Sequence, residues 1–229
     1  MATKVQTGTL SLDDIAPASV YQTFQGRYVD AMPALRADNR TAMSIPDLMK
    51  RRLQVLKSGN KNLVSVWWDH YFDSPDGVAY KGDEVKVILN AQPLLDITPE
   101  ARLPQGTLVL TEAQYNGLKG PTFSGKQLEK AGVNDWLPKS QVLKHPIWQA
   151  VAGNKKLLQQ YANAQFSKYD NERAMGVYLL SSQDKPIMRA LILGSDSGNG
   201  SICEDRYFDY GDARLVGVQS GALEERVQK

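Results

Sequence analysis

The reading of this chain turns on MRALILGSDSGNGSICEDRYFDYGDARLVGV, Met188 to Val218. It opens on an apolar run (Met188, Ala190, Leu191, Ile192, Leu193) and closes on another (Leu215, Val216, Val218). Both runs are expected to be buried strands bounded by turn residues. Between them the chain becomes small and polar from Gly194 to Ser201, then aromatic and charged from Asp205 to Tyr210. This middle is expected to be a long irregular segment, and such segments are usually functional because ordering them is costly.

The composition of the middle carries a second signal. From Ala190 to Ala213 there is no Lys, Gln, Met, Trp or Pro. A codon ending in a pyrimidine cannot specify Lys, Gln, Glu, Met or Trp, and Glu204 is the sole residue of that set in the segment. Turn chemistry alone accounts for the Ser, Gly, Asp and Asn of residues 194–201. It does not account for Ile202, Cys203, Arg206, Tyr207, Phe208 and Tyr210.

An apolar strand with the pair Arg189-Ala190, a changeable middle and the closing Gly211-Asp-Ala-Arg-Leu-Val-Gly217 resemble the variable region of a diversity-generating retroelement protein. The resemblance covers Ala174 to Val218; more faintly, Lys144-His-Pro-Ile-Trp148 and Met175-Gly-Val-Tyr178 look like uncharacterised archaeal proteins with such ends. It implies a C-type lectin-like fold of the branch shared with formylglycine-generating enzymes, with helical insertions and an N-terminal extension. It also implies a variable region at 189–218, rewritten by copying a template with mutated adenines. The implied ligand-binding positions are Leu191, Leu193, Ser195, Ser197, Gly198, Asn199, Ser201, Ile202, Cys203, Asp205, Arg206, Tyr207, Tyr210 and Asp212. Arg189, Gly194, Gly211, Arg214, Leu215 and Gly217 are the implied constant scaffold. The related enzymes work with a cysteine pair, and the one cysteine here argues against that activity.

Composition bounds the alternatives. A chain of 229 residues, 42% hydrophobic and 23% charged, can bury a sizeable core. A net charge of +2 gives no strong field for nucleic acid or an anionic membrane. No apolar run reaches the ~20 residues that span a bilayer, and no secretory signal core is visible, so membrane insertion is not expected. A virion or a cell surface fits as location. A lone cysteine excludes an internal disulfide framework.

The rest of the chain is expected to be α+β. Residues 1–16 are read as an arm or edge strand, Ala18–Arg36 as helical in one or two pieces broken at Gly26 and Pro33, and Pro46–Lys57 as a helix capped by Ser44. Asn62–Phe72 is β-branched and aromatic and is expected to be a strand, followed by a turn at Asp73–Gly77. Val78–Tyr80 and Glu84–Leu89 complete a meander. Short helices follow at 111–118 and 124–130, then helices from Ser140 to Lys168 interrupted at His145-Pro146 and Gly153-Asn154, then a strand at Ala174–Leu180. Residues 1–60 are taken as an extension packed on a domain of 61–229.

Other motifs are weaker. Gly120–Gln127 nearly matches a phosphate-binding loop, but Gln127 stands at the hydroxyl position and no strand directly precedes Gly120. His70 and His145 have no ligand spacing for a metal, and residues 196–200 lack the acidic spacing of a calcium loop. No cofactor is expected. Glu204, Asp205, Asp209 and Asp212 admit hydrolysis by an acidic loop 204–212 as an alternative. An undiversified viral or cell-surface structural protein is the other. The expected partner is a macromolecular ligand, a protein or a surface glycan, that differs between copies of the gene.

Overall fold

The structure, a computed structural model, describes residues 4–12, 20–196 and 200–219, with the side chains of Ser195 and Asp196 outside that description. Capping chemistry sets most helix ends. α1 (Tyr28–Ala37) carries Pro33 inside it. α2 (Ile45–Ser58) starts at Ser44, whose hydroxyl accepts the Asp47 N–H, and stops at Gly59 with φ 72°. α3 (Lys61–Trp68) is capped by Asn60, and α4 (Gln92–Leu95) is a single turn. α5 (Glu112–Gly117) and α6 (Gly125–Ala131) each begin with a reciprocal capping box, Thr111 with Gln114 and Ser124 with Gln127. The glutamine that spoils the phosphate-loop motif is thus a helix cap. α7 (Lys139–Val142), α8 (Pro146–Ala152) and α9 (Lys155–Tyr169) are separated where His145-Pro146 and Gly153-Asn154 interrupt the pattern.

Twelve strands form one branched sheet among the described residues. They are β1 (Gln6–Thr7), β2 (Tyr21–Gly26), β3 (Arg40–Ala42), β4 (Phe72–Gly82), β5 (Glu84–Ile88), β6 (Leu108–Val109), β7 (Thr122–Ser124), β8 (Asp135–Leu137), β9 (Met175–Tyr178), β10 (Gln183–Asp196), β11 (Gly200–Arg206) and β12 (Ala213–Gln219). The main path runs β1-β2-β12-β4-β10-β11-β9-β8. β10 pairs antiparallel with both β4 and β11, and β11 pairs parallel with β9. β12, the last of these strands, lies between β2 and β4, so strands far apart in sequence meet in mid-sheet.

Strand alternation divides the core between two faces. Ile187, Leu191 and Leu193 of β10 join Cys203 and Val216 in a cluster with α2, α3, α8 and α9. Met188 and Ala190 join Leu215 and Phe208 in a second cluster with α1 and α4. Residues 21–58 supply β2, β3, α1 and α2, and contribute to both clusters.

Four local expectations are corrected. Asn62–Phe72 is not a strand: residues 61–68 form α3, with Leu63, Trp67 and Trp68 buried while Asn62, Ser65 and Asp69 stay exposed. Helical spacing and the Asn60 cap override the β-branched composition. Both tryptophans are core, their indole N–H groups donating to the Leu12 and Arg52 carbonyls at 3.0 and 2.9 Å. Tyr21–Gly26 is a strand rather than helix, because β12 supplies its hydrogen-bond partners.

Asp73–Gly77 is not a turn but a buried, bulged part of β4, the three residues between Asp73 and Gly77 opposing the single Leu191 of β10. Its polar side chains satisfy backbone groups of other elements. Ser74 donates to the Leu191 carbonyl at 2.7 Å, and Asp76 accepts the N–H groups of Ile45 and Asn90 at 2.6 and 2.8 Å. Finally, the segment after Asp196 is not irregular throughout. Residues 200–206 form β11 against β10 and β9, and Gly200 (φ 147°) permits this pairing: a Cβ there would lie 2.1 Å from the Ala174 carbonyl oxygen.

Candidate ligand-binding site

In the β10–β11 hairpin Ile192 stands opposite Glu204, and Gly194 opposite Ile202. With a period of two, Ile192, Gly194, Ile202, Glu204 and Arg206 share one face. Together with Tyr71, Asp205, Tyr207 and Tyr210 they line a concavity of about 240 Å³. It lies on the Ala190 face of the sheet, opposite the layer of α2 and α9.

The reverse face of the hairpin is locked. Arg52 of α2 is fully buried and donates to the carbonyls of Trp67, His70 and Leu193 at 2.8, 2.8 and 3.2 Å. It also donates to the Tyr161 and Ser201 hydroxyls at 2.7 and 3.2 Å. Ser201 in turn bonds the Gly194 carbonyl across the hairpin at 2.9 Å. One guanidinium thus ties α2, α3, α9, β10 and β11 together. Asp205 is a second knot: it accepts from the Tyr80 hydroxyl, the Leu180 N–H (2.9 Å) and the Arg189 guanidinium (3.2 Å). Arg189 also lies 3.6 Å from the centre of the Tyr207 ring.

The loop after β11 is pinned as well. Phe208 is buried against Tyr28, and its N–H donates to the Gly106 carbonyl at 2.9 Å. Gly106 (φ 67°) approaches so closely that a Cβ would lie 2.5 Å from the Tyr207 ring. At the rim, Arg206 pairs with Asp212 at 2.6 Å and with buried Asp73 at 3.8 Å, and stacks 4.4 Å from the Tyr71 ring centre. The Tyr71 hydroxyl donates to the Asp212 carboxylate at 2.9 Å. Burial pushes the Asp212 carboxyl up, but the Tyr71 and Arg206 hydrogen bonds and the Arg206 charge outweigh it and hold the group below its ordinary range. Burial pushes Asp73 up despite Arg206.

Glu204 differs from these acids. Its carboxylate lines the concavity with no hydrogen bond or ion pair among the described residues. Burial, and then the neighbouring Asp205 charge, push its pKa up against the pull of Arg206 and Arg189. Beside it Tyr210 is 49% exposed, its ring 5.1 Å from that of Tyr207.

The structure therefore sorts the expected ligand-binding positions. Ile202, Arg206, Tyr207 and Tyr210 line the concavity, and Asp212 is exposed at its rim. Leu191, Leu193, Ser201 and Cys203 are instead fully buried on the opposite face, because β10 and β11 are paired strands and every second side chain points inward. Asp205 also lines the concavity, but it is buried and held by three donors. Ser197, Gly198 and Asn199 lie outside the described residues, as does the side chain of Ser195. Sequence reasoning missed Tyr71, Ile192 and Glu204, and counted Gly194 as scaffold although it also lines the concavity. Counting by two from Arg206 would have found Glu204. Tyr71 comes from more than 100 residues away and leaves no local trace.

No group of three potential metal ligands exists among the described residues. His70 Nδ1 is bonded to the Val66 carbonyl, and His145 caps α8, its pKa lowered by burial to about 4. The Cys203 thiol is buried and pushed up by that burial, which is the opposite of an activated nucleophile. No helix among the described residues is long and apolar enough to cross a membrane.

No family model matches the chain, and no curated protein matches it. A solved structure described as the accommodation of massive sequence variation in Nanoarchaeota by the C-type lectin fold does align with it. The two are 17% identical, with a TM-score of 0.68 over 94% of this chain and 97% of the other. The likeness shows the fold: the chain adopts the C-type lectin fold, as the closing strand motif implies.

Proposed function

We propose that this chain is a ligand-binding protein, not an enzyme, whose concave C-terminal face is diversified by retroelement-driven mutagenesis. The observation that carries the reading is the division of labour along β10 and β11. Inward side chains are tied to α2, α3, α9 and β4 through Arg52, Ser201 and Asp205. Outward side chains at 202 and 206, with Tyr207 and Tyr210 beyond, line an open concavity. A rigid frame under changeable side chains is what recognition needs. Tyr and Arg supply rigid contact area while Ser, Gly and Asn adapt, as in antibody paratopes. The codon-limited alphabet of 190–213 supports the reading, as does the likeness to a fold described as accommodating massive variation.

The diversified positions are then Ile202, Arg206, Tyr207, Tyr210 and Asp212, with Ser195, Ser197, Gly198 and Asn199. The ligand is macromolecular, a protein or a surface glycan. The acids of the hydrolytic alternative are engaged at Asp205 and Asp212, which favours binding. Deep sequencing of this gene across a population tests the proposal. Substitutions concentrated at the outward codons of 195–212, with 201, 203 and 205 held, are expected. Substitutions spread evenly along the chain contradict it and favour an undiversified structural protein.

A further inference from the structure

We infer that the concavity takes a basic side chain, arginine or lysine, presented by a protein ligand, with the Glu204 carboxylate as its ion partner and the exposed Tyr210 ring as its stacking surface. The inference rests on the reading of this face as the ligand surface and names the chemistry it selects.

Charge bookkeeping at the site leads to it. The guanidiniums near the concavity are committed: Arg189 to Asp205 and the Tyr207 face, Arg206 to Asp212, Asp73 and the Tyr71 face. The Arg214 guanidinium lies over Tyr71 as well, and the backbone N–H of Arg214 donates to Asp73. Asp205 is paired with Arg189, and Asp73 and Asp212 with Arg206, whereas Glu204 has no ion pair among the described residues. It is half-buried, so water solvates it poorly, and burial raises its pKa accordingly. A cation supplied from outside restores what burial removes.

Size and aromatic content narrow the occupant. About 240 Å³ is below the range of small-molecule sites and suits one long side chain. Tyr210 is half exposed at the concavity, with Arg206 5.8 Å from its ring centre, and a guanidinium or ammonium over such a ring is attracted by its face. Glu204 is also the residue of 190–213 that a pyrimidine-ended codon cannot encode. Diversification would therefore change the surroundings while the preference for a cation stays fixed.

Titration of the ¹⁵N-labelled full chain with three blocked tripeptides, Gly-Arg-Gly, Gly-citrulline-Gly and Gly-Glu-Gly, tests this. Citrulline keeps the shape of arginine without its charge. The arginine peptide is expected to shift the amides of 202–206 and 210, and to bind at least about tenfold more tightly than the citrulline peptide, the scale of one charge-assisted hydrogen bond. Glu204→Gln is expected to abolish that difference. Equal shifts from the arginine and citrulline peptides overturn the cation preference but leave the surface as a binding site. Tight arginine binding that persists in Glu204→Gln overturns the role of Glu204. Silence of these amides toward all three peptides overturns the inference and counts against the concavity itself.

Discussion

Arg52 shows how a single residue fixes the site without touching it. A fully buried guanidinium with five oxygen acceptors and no carboxylate partner among the described residues is held by geometry alone. Arg52→Met keeps the volume but leaves buried acceptors unpaired, each costing about 1–3 kcal/mol. We expect a loss of at least about 3 kcal/mol in urea unfolding; a loss under about 1 kcal/mol would contradict the role assigned to it. None of this was legible in sequence, where Arg52 is one of several basic residues on a helix. The outward positions were half legible. Composition marked the segment, but only the pairing of β11 with β10 reveals that 202, 204 and 206 face out while 201, 203 and 205 face in.

At the scale of elements, Asp73–Gly77 is the instructive case. Asp, Ser, Pro and Gly spell a turn, and the same residues build a bulge inside a buried strand when their side chains find backbone donors elsewhere. Asp76 is buried beneath the start of α2, and burial raises its pKa from 3.8 to about 7 although Ile45 and Asn90 donate to it. The folded chain therefore keeps a proton that the unfolded chain has released between about pH 4 and pH 7. Stability is expected to fall as pH rises through that window, by roughly 4 kcal/mol if this group acts alone, and to level off above it. Denaturant unfolding at several pH values reads the slope. Asp76→Asn, which cannot titrate, should remove this component whatever its own stability, and an unchanged slope would sink the assignment. Helix ends were far more legible, because caps at Ser44, Thr111, Ser124 and Asn154 act within four residues. α3 was not, since eight residues with two tryptophans satisfy either period.

The whole molecule is organised by contacts that no local pattern reveals. β12, which ends the described residues, pairs with β2 near their start, and Tyr71 bonds Asp212 and shares the concavity with Tyr210. The fold was nonetheless legible, because the closing Gly-Asp-Ala-Arg-Leu-Val-Gly motif is the central strand on which that pairing depends. The same motif carries the claim of diversification, and the DNA downstream of the gene tests it most directly. A near-copy of codons 189–218 beside a reverse transcriptase gene, differing from the gene only where the copy carries adenine and mainly at outward-facing codons, is the expected result. Absence of any such repeat would contradict diversification and reduce the codon pattern to loop composition.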